Sequence, residues 1–131
     1  MFLQLAHTKL DVFEATKAFV LECYRVTQSF PPEEKFAMVS QIRRAALSTH
    51  LNVAEGCSRK SPQERKRFFE ISRGSIIEVD TAMDVAVDLM YCTTIDVQVL
   101  GEKLIKTFKI LCGLIGSEGA KLTTDNSPLT T

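Results

Sequence analysis

Residues 32–90 read PEEKFAMVSQIRRAALSTHLNVAEGCSRKSPQERKRFFEISRGSIIEVDTAMDVAVDLM. Apolar side chains recur there every three to four positions, the period that gathers them on one side of an α-helix. The stretch reads as two long amphipathic helices joined by the short basic turn CSRKS. Pro32 opens the first, with Glu33 and Glu34 suited to the positive end of its dipole. Phe36, Val39, Ile42, Arg43, Ala46 and Val53 mark its inner side, and Gly56 is placed to cap it. Ser61, Pro62 and Glu64 form a strong start signal for the second. Its inner face is predicted from Phe68, Phe69, Ile71, Ser72, Ser75, Ile76, Val79, Ala82, Met83, Ala86 and Leu89. Gly74 falls near its middle, where glycine costs about 1 kcal/mol relative to alanine.

Working outward, 11–29 and 94–115 carry further helical stripes. The first is Val12, Phe13, Thr16, Phe19, Val20, Cys23, Tyr24 and Thr27. The second is Val97, Leu100, Leu104, Ile105, Phe108, Leu111, Cys112 and Ile115, preceded by Thr93 and Asp96 at capping distance. Four helices with short connections predict an all-α fold, an antiparallel up-down-up-down four-helix bundle. The bundle domain is assigned to 1–116. Residues 117–131, SEGAKLTTDNSPLTT, are small, polar and aperiodic, and read as a disordered tail.

The chain's 131 residues suit one domain, and its 16 basic and 16 acidic side chains cancel. Their distribution is uneven. Six basic residues face two acidic ones between Arg59 and Arg73, and six acidic residues with no basic one lie between Glu78 and Glu102. Such separation serves solvated helix faces, pairing between subunits, or an anionic partner. Cys23, Cys57, Cys92 and Cys112 lack the C-x-x-C spacing, which suits a reducing cytoplasm. No membrane-spanning run is present.

No catalytic, cofactor-binding or metal-binding set is expected, so the reading is non-enzymatic. A di-metal carboxylate bundle needs two E-x-x-H pairs. The only histidines, His7 and His50, follow no glutamate at that spacing. His50 is expected near a helix C-terminus, where the dipole favours its charge. Asp80, Asp84 and Asp88 read as an exposed acidic stripe. No hydroxyl is paired with a base and an orienting carboxylate, and no glycine loop suits a phosphate. Arg59, Lys60, Arg65, Lys66 and Arg67 are candidate contacts for an anion or a nucleic acid, without the aromatic interleaving of base readers. Arg43 and Arg44, being adjacent, cannot both avoid the packed side. With Asn52 and Glu55 as hydrogen-bonding partners, they predict a polar seam between helices or between subunits.

The order Phe30-Pro31, Gln41 to Ala46, Asn52, Ala54-Glu55-Gly56, Arg59, Gly74-Ser75 and Glu78 resembles the bacterial four-helix bundle family encoded in intervening sequences of 23S ribosomal RNA genes, sometimes labelled S23. The likeness covers about residues 8–115. It implies a small cytoplasmic homo-oligomer of unknown cellular role, with ring-like homopentamers among its members. It also implies a relation in fold to the accessory variability protein of diversity-generating retroelements, a basic protein that works with a reverse transcriptase and nucleic acid. Carried over, that role would rest on Arg43, Arg44, Arg59, Lys60, Arg65, Lys66 and Arg67. The chain departs from the family pattern at Phe13, where tryptophan is usual, and at Thr49, His50 and Leu51, where a serine-proline-like turn is usual.

Overall fold

The structure, a computed structural model, describes residues 1–125, with side chains through residue 122. Four α-helices form: α1 (Asp11–Thr27), α2 (Met38–Ser58), α3 (Pro62–Asp88) and α4 (Gln98–Asp125). Short 3-10 turns at Ala6–Lys9 and Pro32–Glu34 precede α1 and α2. Each helix packs on its sequence neighbour, and α4 closes the square against α1. This is the up-down-up-down bundle that the periodicity calls for. Phe19, Ile42, Val53, Phe69, Ile76, Val79, Leu100 and Leu111 lose nearly all contact with water at its centre. Helical spacing aims all of them inward.

The helix starts are local chemistry. The Ser61 hydroxyl accepts the Glu64 backbone N–H at 3.1 Å. Thr93 and Asp96 cap reciprocally, at 2.9 and 3.1 Å, one turn before α4 becomes regular. The stop of α3 is less obvious. Met90 adopts a φ of 62°, and the Tyr91 and Met90 N–H groups bond the carbonyls of Ala86 and Val87, each at 2.9 Å. This is a Schellman stop built on a residue that pays a steric cost for the left-handed conformation. Met90 is 88% exposed, so its side chain packs on little. Met90→Gly is expected to stabilise the fold by about 0.5–1 kcal/mol, read as a melting temperature roughly 2–5 °C higher.

Four expectations need correction. Pro32 opens only a 3-10 turn, and α2 begins at Met38, whose N–H is held by the Glu34 carboxylate at 3.0 Å. Ala37 breaks the helical backbone there. Phe36 therefore loses the register of α2 and stands 87% exposed instead of joining the inner side. Gly56 does not cap α2, which continues to Ser58; it is buried where α2 meets α3, and a Cβ on it would lie 2.8 Å from the Phe69 ring. Ile71 and Leu89 are exposed, 43% and 49%. Finally, α4 passes the expected boundary at Gly116 and runs to Asp125, burying Glu118. Gly113, Gly116 and Gly119 sit inside this helix and do not end it. Residues 126–131 of the proposed tail lie outside the described residues.

Candidate interaction face

The five basic residues of the α2–α3 turn are largely engaged inside the chain. Arg65 is the most committed. Its guanidinium donates to Glu118 Oε1 at 3.0 Å and to the carbonyls of Cys57 and Arg59 at 3.1 and 3.2 Å. It also stacks on the Phe69 ring. Glu118 is 2% exposed, accepts a second bond from Lys121 at 3.2 Å, and finds no partner for its Oε2 among the described residues. Arg65 is thus a tie between the α2–α3 turn and the last turns of α4. Arg59 pairs with Glu55 and lies 5.0 Å from the Phe68 ring centroid. Lys66 stands 3.9 Å from Glu70. Lys60 and Arg67 are exposed and make no ion pair among the described residues.

The expected arginine seam divides. Arg43 turns toward α1, donating to Thr27 Oγ1 at 2.9 Å and the Tyr24 carbonyl at 3.2 Å while lying over the Tyr24 ring. It meets neither Asn52 nor Glu55. Nine and twelve residues along a helix amount to roughly 180° and 120° of rotation, so neither can share its side. Asn52 bonds back to Ser48, through the carbonyl at 2.9 Å and the hydroxyl at 3.0 Å, and Glu55 holds Arg59. Arg44 is exposed without an ion-pair partner among the described residues.

Arg44, Asn52 and Glu55 instead belong to the outward side of α2 next to α3. Two hydrogen bonds fix the register of that face. Gln41 donates to the Glu78 carboxylate at 3.0 Å, and the Ser75 and Ser48 hydroxyls meet at 3.0 Å. Deeper, the Ser72 hydroxyl donates to the Thr49 carbonyl at 2.7 Å. The surface between the helices is low and polar, with half-exposed Leu51 and Ile71 beside it. A Cβ built on Gly74 meets nothing within 4 Å, so no close contact among the described residues accounts for glycine there.

Residues 8–113 match the model of the family described as 23S rRNA-intervening sequence protein. The chain belongs to that family. Among solved structures, a protein of unknown function from the S23 ribosomal protein family of Bacteroides thetaiotaomicron is similar to this 23S rRNA-intervening sequence protein, with a TM-score of 0.71. The two are 18% identical, over 79% of this chain and 97% of that one, a likeness of fold. A comparison with curated proteins finds no match. In the present family member, Gln41, Arg44, Asn52, Glu55, Gly74, Ser75 and Glu78, which help carry the family resemblance, gather on the α2–α3 face.

A second cluster escaped the sequence reading. His50 lies within α2, two turns before its end, with Nδ1 2.7 Å from Thr16 Oγ1 and its ring 4.4 Å from that of Phe13. His7 meets the Phe13 ring edge-on, with the ring centroids 5.3 Å apart. Burial, with Lys17 and His7 nearby, holds the His50 pKa below its usual value. This reverses the dipole benefit expected for it. The folded state favours neutral imidazole, so the contribution is complete above about pH 6.5 and is lost as pH falls through the lower folded value. The melting temperature should fall between pH 7 and pH 5, and less steeply in His50→Gln.

The remaining chemistry is quiet. Burial pushes the Cys23 thiol up to about 12 and raises Cys57 and Cys92 as well, which suppresses thiolate formation. Among the described residues, no group of three or more His, Cys, Asp or Glu side chains is placed to hold a metal ion. No helix among them is long and apolar enough to cross a membrane.

Proposed function

We propose that the protein is a non-enzymatic, cytoplasmic homo-oligomer that serves as a scaffold, its outer helix faces acting as contact surfaces. The observation that carries this is the α2–α3 face, where Leu51, Ile71 and Gly74 are exposed side by side with charged residues and no described part of the chain covers them. Apolar side chains grouped on a solvent face favour contact with another molecule. The family resemblance supports a ring, with the homopentamer as the reference size. Sedimentation equilibrium over a range of concentrations tests the assembly: a multiple of 14.6 kDa supports it, and a constant monomer mass refutes it.

A second reading makes the protein a nucleic-acid-binding accessory, in the manner of the retroelement accessory proteins. It is favoured by Lys60 and Arg67, which make no ion pair among the described residues, with Arg44 further along the same side. It is weakened by the engagement of Arg59, Arg65 and Lys66 with carboxylates of this chain. Fluorescence anisotropy with single-stranded and duplex RNA and DNA at 50 mM salt decides it. Binding that declines steeply with salt and disappears in Lys60→Gln with Arg67→Gln would establish the accessory role; no binding would leave the scaffold.

A further inference from the structure

The end of the bundle where α1 leads into α2 and α3 into α4 displays three large apolar side chains that the core does not use. Phe36, Met90 and Ile95 are 87%, 88% and 80% exposed, and among the described large apolar residues only Phe2, in the N-terminal lead-in, is more so. The two connections that carry them are tied together. The Tyr91 hydroxyl donates to Glu34 Oε1 at 3.4 Å, and its ring lies 5.6 Å from that of Phe30. Phe36 stands outside because the helical backbone breaks at Ala37. Met90 occupies the left-handed stop of α3, which glycine would make without steric cost. A methionine held in a strained and exposed position points to a use for its side chain.

The α3–α4 groove that leads away from Met90 and Ile95 holds a cavity of about 180 Å³, walled by Met83, Val87, Val97 and Leu100. Asp80 and Asp84 line it too and are exposed, so its apolar walls end in carboxylates. Asp88 continues their row one turn on. Charge at this end is one-sided. Residues 28–38 and 84–98 hold Glu33, Glu34, Asp84, Asp88 and Asp96 against Lys35 alone. The Lys35 ammonium lies over the Phe36 ring, 5.3 Å from its centroid, and Arg25, in the last turn of α1, is paired with Glu22. None of the five carboxylates forms an ion pair among the described residues. Glu34 and Asp96 cap the backbone N–H groups of Met38 and Thr93, which leaves Glu33, Asp84 and Asp88 facing solvent. A nucleic acid, an anionic lipid surface and the same end of a second copy all bring negative charge, and this end repels each of them.

We infer that this end of the bundle is a docking site for a basic amphipathic helix of a different protein. Aliphatic anchors repeating every three to four residues on such a helix cover Phe36, Met90 and Ile95, and one of them enters the α3–α4 cavity. Its lysines and arginines meet Glu33, Asp84 and Asp88. The apolar contacts supply the affinity, while the charges select a cationic partner and speed its approach. Methionine suits the task because its unbranched, polarisable chain moulds itself to different side chains. The site lies at one end of the bundle, off the lateral α2–α3 face. It needs no second copy of the chain, and so goes beyond the assembly reading and stands apart from it.

The test uses the full chain and a fluorescently labelled synthetic helix of leucine and lysine, with a leucine–glutamate helix of the same pattern as control. Fluorescence anisotropy should show saturable binding of the lysine helix, one per chain, that weakens with added salt, and no binding of the glutamate helix. Phe36→Ser combined with Met90→Gly should weaken binding roughly tenfold and keep the far-ultraviolet spectrum. Met90→Gly alone should melt higher, as argued above, and still bind roughly threefold more weakly. A variant that gains stability while losing affinity separates use of the side chain from a part in folding. Asp84→Asn with Asp88→Asn should weaken binding and flatten its salt dependence. Absence of saturable binding, equal binding of the two helices, or an affinity unchanged in the Phe36–Met90 variant overturns the inference. So does a wild-type mass that grows without limit on concentration and becomes fixed in that variant, because the basic turn of another copy would then be what covers this end.

Discussion

Replacing Arg65 by alanine is expected to cost about 3 kcal/mol of folding stability, a fall of roughly 10 °C in melting temperature. The residue stands in what reads locally as a basic surface cluster, where such a change would be nearly neutral. Its position differs from that reading. Its side chain is 25% exposed and its partner carboxylate, Glu118, is 3% exposed. Without the guanidinium, Glu118 keeps, among the described residues, Lys121 alone, which is itself 55% exposed, and its Oε2 gains no donor there. A buried charge left without its partner is the expensive outcome, more so than losing both members. Arg65→Met combined with Glu118→Leu should therefore recover most of the loss, and urea denaturation of the single and double variants checks this. Equal losses in the single and double variants would show that the ion pair is not the source.

Gly56→Ala is the second large effect, a net loss of about 1–2 kcal/mol. Alanine gains about 1 kcal/mol in helix propensity, but its Cβ would stand 2.8 and 3.0 Å from Phe69 ring atoms and 3.1 Å from the Phe68 Cβ. Phe69 is fully buried, so the ring has no free volume into which to tilt, and overpacking of this kind costs 1–3 kcal/mol or more. Gly74→Ala provides the opposite sign in the same fold. Its new methyl meets nothing among the described residues, so in dilute protein it should stabilise by about 1 kcal/mol. Thermal melts of the two variants should shift in opposite directions; a shared direction would contradict the contrast drawn between a packing glycine and an exposed one.

The four helices were legible because their apolar side chains repeat at the helical period over many turns, and because Ser61-Pro62 and Thr93 are strong local punctuation. What escaped was set by partners distant in sequence. The small, polar residues after 116 read as a tail beyond the bundle, yet Glu118 bonding to Arg65, fifty-three positions away, holds α4 together past that boundary. Gly56 looked like a cap because glycine commonly serves as one, while its use is close approach to Phe69, which no local signal reveals. Met90 gave no warning of the left-handed stop it makes. The basic cluster was visible as composition, but carboxylates from α2, α3 and α4 decide which of its members reach solvent unpaired. Arg43 and His50 follow the same rule, their partners Thr27, Tyr24, Thr16 and Phe13 being supplied by α1.

The proposed role lies on the outer helix faces, in contact with copies of the same chain. The most direct measurement is the native mass of the unmodified full chain, by sedimentation equilibrium from 1 to 100 µM at 150 mM salt. An assembled species at a multiple of 14.6 kDa that dissociates on dilution is the expected result. A mass of 14.6 kDa throughout that range would contradict it.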